Sequence, residues 1–177
     1  MDYAPSDKYR VPLKGEHPDY INAVFINGYK QRKAFIIAEG PMQSTCRAFW
    51  KMIMDRKCHV IVMLGHLNEN RMNVCYQYWS STAHPEVFGE FVVTVKTETQ
   101  YNGYIERTLV VINNKNGQKQ TVSQYQITEW DSNGYIQNPQ IIITVIEEVY
   151  KIQRKVGTSP IPKHLSLIHI SEPTRPY

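Results

Sequence analysis

Residues 59–65 read HVIVMLG, a continuous apolar and β-branched run closed by a glycine. The run is too short for an ordinary helix and does not alternate. That is the pattern of a strand buried on both faces. Such a strand belongs in the interior of a sheet, so its flanks must supply neighbouring strands and covering helices. Immediately before it, STCRAFWKMIMDRK (44–57) has helical period: Ala48, Phe49, Met52 and Ile53 share one side, and Lys51, Asp55 and Arg56 supply the polar side. Ser44 or Thr45 is expected to cap that helix. Further upstream, DYINAVFINGYKQRKAFIIAEGP (19–41) predicts two short strands around a turn, carried by Ile21, Ala23 and Phe25 and then by Phe35 and Ile37. Gly40-Pro41 ends the second. Residues 1–18 are polar and proline-bearing, an irregular lead-in.

Downstream, NENRMNVCYQYW (68–79) leads into a polar loop that ends near Pro85. Three alternating segments follow, at 91–100, 104–112 and 118–128, joined by Asn102-Gly103 and by NNKNG (113–117). Asn-Gly supplies the positive φ that a tight hairpin turn demands, so these segments predict an antiparallel meander. The loop WDSNG (130–134) closes it. Asn138 then caps a helix with Pro139 at its first position. Its apolar stripe is expected to be Ile142, Val145, Ile146, Val149 and Tyr150, facing the core, and it fades near Gly157. The whole predicts an α+β fold, a highly twisted mixed sheet flanked by helices.

A length of 177 residues suits one domain. Hydrophobic residues at 42% and charged residues at 20% describe a globular chain, not a disordered one. No apolar run reaches membrane-span length, so no membrane contact is expected from this chain itself. The start, MDYAPSDKYR, lacks a basic-then-apolar signal pattern. A net charge of +4, scattered, gives no basic stripe with interleaved aromatics, which argues against nucleic acid. Cys46, Cys58 and Cys75 form no CxxC pair and no short-spaced Cys/His cluster. Free thiols in a reducing compartment are expected, with no metal and no cofactor. Residues 163–177, KHLSLIHISEPTRPY, do not continue the pattern. Pro173 and Pro176 argue against a helix there, and the stretch looks like a translated adaptor, a non-native tail.

Several stretches together resemble the protein tyrosine phosphatase domain of receptor type. DYINAVFINGY (19–29) is similar to that family's DYINAS-x-I-DGY, FIIAEGP (35–41) to FIATQGP, and AFWKMIMDRK (48–57) to DFWRMVWE. VIVML (60–64) resembles its central strand and CYQYW (75–79) its C-x-x-YWP segment. Tyr104 to Leu109 resembles the segment before the RTL strand, QYQITEWDSNG (124–134) the stretch ending in WPDHG, and SPIP (159–162) the run into the nucleophile strand. The landmarks recur in order at family spacing across about residues 3–162. The resemblance implies a phosphotyrosine phosphatase-like fold, incomplete here, with residues 1–162 as a partial domain and 163–177 as the tail.

The family's chemistry needs a thiolate nucleophile, backbone N–H groups and an arginine around the phosphate, and a loop acid for the leaving phenolate. The nucleophile loop is HC-x5-R. Six residues after Cys46, Cys58 and Cys75 stand Met52, Leu64 and Ser81, so no cysteine qualifies. After SPIP the chain reads Lys163, His164, Leu165, Ser166, with Leu165 at the nucleophile position and no glycine-rich loop beyond. Either the domain is naturally altered or the clone ends near residue 164; the adaptor-like tail favours truncation. In the acid loop Trp130 matches, Asp131 occupies the proline position and Ser132 the acid position. A serine hydroxyl cannot serve as a proton donor near neutral pH, and losing a general acid costs roughly 10²–10⁴-fold in rate. Asp131, one residue displaced, reads instead as an Asx turn or cap beside Gly134.

These departures predict an inactive, pseudophosphatase-like chain with no catalytic residues. The resemblance implies the membrane-distal second domain of a receptor phosphatase, regulatory, cytoplasmic, the intracellular part of a single-span receptor. Expected partners are phosphotyrosine proteins or a partner phosphatase domain. The alternative is an active tyrosine phosphatase domain cut off before its HC-x5-R loop. A third expectation is an unstable chain, with apolar surface exposed on the VIVML strand and on the 139–151 helix.

Overall fold

The structure, a computed structural model, describes residues 8–29, 32–69, 72–73, 75–81, 84–130, 135–156 and 166–170. The apolar run that opened the sequence reading is strand β3 (Val60–Leu64). Around it are β1 (Ala23–Ile26), β2 (Phe35–Glu39) and α1 (Cys46–Asp55), then a small separate pair, β4 (Asn68–Glu69) and β5 (Met72–Asn73). β6 (Glu86–Phe88), β7 (Phe91–Gln100), β8 (Tyr104–Asn113) and β9 (Lys119–Ile127) follow, then α2 (Gln140–Val156) and β10 (Ser166–Ile170). The main sheet has eight strands in the order β1-β2-β10-β3-β9-β8-β7-β6. β10 runs parallel to β2 and to β3, and β3 runs parallel to β9; the other ladders are antiparallel. The mixed α+β sheet expected from the sequence is thus present.

Each side chain of β3 is assigned to a face by strand alternation. Ile61 and Met63 join the core under α1, with Phe49, Trp50, Met52 and Ile53 of that helix. Val60 and Val62 join the other core, under α2, with Tyr125, Ile127, Ile141, Val145 and Val149. A strand covered on both faces needs apolar residues at every position, which is why the run does not alternate. The antiparallel meander follows its turn chemistry. Gly103 at φ +85° turns β7 into β8, and Tyr101 N–H donates to Tyr104 O across 2.9 Å. Lys96 is an extra residue on β7, where the register slips between Val95 and Thr97.

Four local expectations are corrected. Neither Ser44 nor Thr45 caps α1 through its side chain. A 3-10 turn over Gln43–Thr45 leads into the helix, and the Thr45 hydroxyl accepts from Met42 N–H at 2.9 Å instead. At α2 the cap is as read: Asn138 Oδ1 accepts from Gln140 N–H at 3.1 Å. The buried stripe of α2, however, is Ile141, Val145 and Val149, while Ile146 and Tyr150 stand 46% and 50% exposed. Three consecutive isoleucines, 141–143, leave two stripes open in sequence, and contact with Gly103 selects the one through Ile141. The expected exposure of the VIVML strand does not occur, since β3 is covered on both sides; exposure on the helix does, at Ile143, Ile146 and Tyr150. Finally, the tail contributes β10: SLIHI has a strand's composition, and its slot lies between two strands. No helix among the described residues is long and apolar enough to cross a membrane.

Candidate functional site

In an open sheet with parallel strands, ligand chemistry collects beyond the strands' carboxyl ends. Here those ends are Leu64 of β3, Ile127 of β9, Glu39 of β2 and Ile170 of β10, which lie in one register series. The chain leaving β9 carries the candidate loop. Thr128 N–H donates to Gly103 O at 2.9 Å, and Trp130 forms an antiparallel bridge with Ile136. Trp130 is half-buried against the α2-side core. Asp131, Ser132 and Leu165 lie outside the described residues, as does the rest of WDSNG. Of the four positions singled out in sequence, the structure therefore places Trp130, at the base of the loop.

Beneath that loop lies a polar network that sequence reasoning missed. Arg107 of β8 is 6% exposed. Its Nε donates to Glu98 Oε2 of β7 at 2.6 Å, and its Nη1 donates to Gln124 Oε1 at 3.0 Å and Gln126 Oε1 at 2.9 Å, both on β9. The guanidinium also stacks 4.7 Å from the Trp79 ring centroid. Gln124 Nε2 donates to the Tyr78 hydroxyl at 2.9 Å, and burial pushes that phenol's pKa well up. Gln126 Nε2 donates to Gly65 O at 3.1 Å, while Gly65 N–H donates to Ile127 O at 3.1 Å. The carboxyl ends of β3 and β9 are thereby tied together under the loop. The clue in sequence is Gln120, Gln124 and Gln126, polar residues on the inward phase of a strand otherwise apolar there; buried amides of this kind are kept only when hydrogen-bonded. Gln120 completes the set, donating to Cys58 O at 2.6 Å.

A second cluster anchors the amino-terminal segment. Arg47 of α1 holds Glu16 through two contacts of 3.1 Å and Glu90 through contacts of 2.7 and 2.9 Å. Lys115 adds a weaker contact to Glu90 at 3.6 Å. The Arg47 side chain lies over Gly89, where a Cβ would stand 2.7 Å from Arg47 Cδ. Hydrogen bonding to Arg47 lowers the Glu16 carboxyl below its ordinary value. For Glu90, burial pushes upward, but the hydrogen bond from Arg47 outweighs it and the net direction is down. Beside this cluster is a shallow cavity lined by Gln43, Arg47, Tyr76 and Glu86 to Gly89, at the β6 edge of the sheet and away from the Trp130 loop.

The thiols carry the opposite of nucleophile character. Cys46, Cys58 and Cys75 are all buried, and burial pushes each pKa up to about 12. A nucleophilic cysteine needs its pKa lowered by a cation or a helix N-terminus. The arginine next to Cys46 spends its guanidinium on Glu16 and Glu90. Among the described residues no cluster of three or more His, Cys, Asp or Glu side chains is placed to hold a metal ion.

Comparison with known proteins gives a consistent result. A family model described as protein-tyrosine phosphatase matches residues 1–166. Receptor-type tyrosine-protein phosphatase S of Gallus gallus is 36% identical over 168 residues, covering 94% of this chain and 11% of that protein. Receptor-type tyrosine-protein phosphatase alpha of Homo sapiens is 34% identical over 158 residues, 88% of this chain and 20% of that protein. Receptor-type tyrosine-protein phosphatase F of Bos taurus is 35% identical over 157 residues, 88% of this chain and 8% of that protein. The chain thus spans a fifth or less of the length of these relatives. Among solved structures, PTPN18 in complex with HER2-pY1248 phosphor-peptides superposes with a TM-score of 0.86 at 28% identity, over 98% of this chain and 63% of that one.

Proposed function

This chain belongs to the protein-tyrosine phosphatase family, and from that premise we propose a non-catalytic, regulatory role for it, as the membrane-distal second domain of a receptor-type phosphatase. The observation that carries the proposal is Ser132, two residues beyond the family tryptophan, Trp130, where the chemistry requires a carboxylic acid. A phenolate leaving group, whose conjugate acid has a pKa near ~10, departs slowly without a proton donor. The buried thiols offer no substitute nucleophile, since burial holds all three near a pKa of about 12. Its partners are a phosphotyrosine protein or the catalytic domain of the same receptor. PTPN18 is captured with phosphorylated peptides, which supports a phosphotyrosine ligand. The domain would work on the cytoplasmic side of a single-span receptor. Residues 163–177 are a non-native tail in this reading, supported by the end of the family match at Ser166.

A second reading has its own support. The family match ends just where HC-x5-R would begin, so the parent chain could carry an intact loop that this sequence lacks. The two readings separate on one experiment, phosphotyrosyl-peptide hydrolysis by the complete natural domain. The regulatory reading expects turnover at least ~10²-fold below an active family member. Turnover equal to that of an active member would reject it. Restoring aspartate at position 132 should raise the rate only where the downstream coding sequence supplies the cysteine and arginine.

A further inference from the structure

The main sheet is held together at one place by five residues. β1 and β2 form a hairpin, and β3, β9, β8, β7 and β6 form a continuous block. Among the described residues β10 alone joins the two, pairing in parallel with β2 on one side and with β3 on the other. Without it, two parallel edges would face each other across roughly two strand spacings, about 9.5 Å. Both edges would present unpaired N–H and C=O groups, the template on which another strand adds.

The walls of this slot state what fits. Ile36, Ala38, Ile61 and Met63 lie in the α1-side core, each almost fully buried, and Val60 and Val62 lie in the α2-side core. An occupant must therefore be extended, uncharged and aliphatic in both phases. β10 fits imperfectly. Its Leu167 is in register with Ile36 and Ile61, but His169 is in register with Ala38 and Met63. The family match stops at Ser166, so Leu167 to Ile170 fill the slot without a family counterpart. Backbone pairing and apolar composition, rather than family sequence, account for what sits there.

We propose that the gap between β2 and β3 is a strand-acceptor site, which takes an extended, uncharged, aliphatic-rich peptide in parallel register from outside the chain. Ser166–Ile170 is one replaceable occupant of it. The test uses the full 177-residue chain carrying Ile168→Pro, which removes a central N–H and bars the native segment from a two-sided ladder. The probe is a fluorescein-labelled peptide with the sequence of residues 164–171, followed by anisotropy and by hydrogen exchange. Saturable binding is expected, with exchange in Phe35–Glu39 and Val60–Leu64 slowed ~10-fold or more on addition. A peptide with valine in place of the histidine should bind ~5-fold tighter or better, since no imidazole is buried. No saturable binding, while the β7–β8–β9 amides remain protected, would overturn the proposal. So would a dimer of the variant without peptide, which would make a second copy the occupant. The wild-type chain gives an independent reading should the variant not fold. With excess valine peptide its Leu167–Ile170 amides should lose protection as they are displaced, and unchanged protection there would also overturn it.

Discussion

Gly103 is the point at which the meander and α2 meet, and a single methyl group there tests the packing. The residue sits at φ +85°, in the turn from β7 to β8. A Cβ built on it would stand 2.1 Å from Ile141 Cδ1, 3.0 Å from Ile141 Cγ1 and 3.2 Å from Glu129 Cδ. Gly103→Ala therefore carries two costs. An alanine held at positive φ costs roughly 1–2 kcal/mol. Ile141 is buried in the α2-side core and cannot swing away without disturbing Val145 or Tyr104, so the overlap adds about 1–3 kcal/mol of overpacking. The sum, roughly 2–5 kcal/mol, corresponds to a fall in Tm of about 4–20 °C for a domain of this size. A double-mutant cycle separates the parts. Ile141→Val removes Cδ1, the atom in the closest contact, so it should relieve the steric share and leave the φ share. Urea unfolding of the four proteins should give a favourable coupling of about 1–3 kcal/mol. A Gly103→Ala protein within ~0.5 kcal/mol of wild type, or strict additivity with Ile141→Val, would refute the close approach of α2 to this turn.

Two other perturbations follow from the polar clusters. Arg107→Met leaves Gln124 and Gln126 without their shared donor and Glu98, 41% exposed, without its partner. Because that carboxylate is solvated, the cost should fall near the lower end for a broken buried pair, about 2–4 kcal/mol by urea denaturation. A loss under ~1 kcal/mol would show the network to be dispensable. The Arg47 clamp makes stability acid-sensitive: both Glu16 and Glu90 have folded pKa values below the ordinary 4.5. A depressed carboxyl pKa contributes stability that is present above the unfolded value and lost as pH falls through the folded value. Tm should thus be steady above the ordinary 4.5 and fall below it, and Glu90→Gln should start lower and flatten that acid limb. Parallel acid limbs in variant and wild type would contradict the clamp.

The parts of the fold visible in sequence are those where one local rule decides. Alternation and Asn-Gly turns define β7, β8 and β9, and unbroken apolar character defines β3. The parts that escaped depend on distant partners. Which stripe of α2 is buried is settled by Gly103, nearly forty positions upstream, through its contact with Ile141. Gln124 and Gln126 read as surface residues of a strand until Arg107 comes opposite on β8. The tail's prolines drew attention to the absence of a helix, whereas SLIHI meets the needs of a gap flanked by two edges. At the candidate site, Trp130 was legible by position and its loop departure by residue type.

Trp130 itself says little about catalysis. It packs with Ile136 and Ile142 onto the α2-side core and pairs with Ile136 across the loop, so burial of a large apolar ring suffices to explain it. The network beneath, from Glu98 through Arg107 and Gln126 to Gly65, fixes the loop's base whether or not the loop carries an acid. A domain that only binds needs the same frame as one that catalyses, because both must hold the carboxyl ends of β3 and β9 in register. The frame therefore follows from fold stability alone. Chemistry enters at position 132, where a hydroxyl in place of a carboxyl leaves the leaving oxygen without a proton donor.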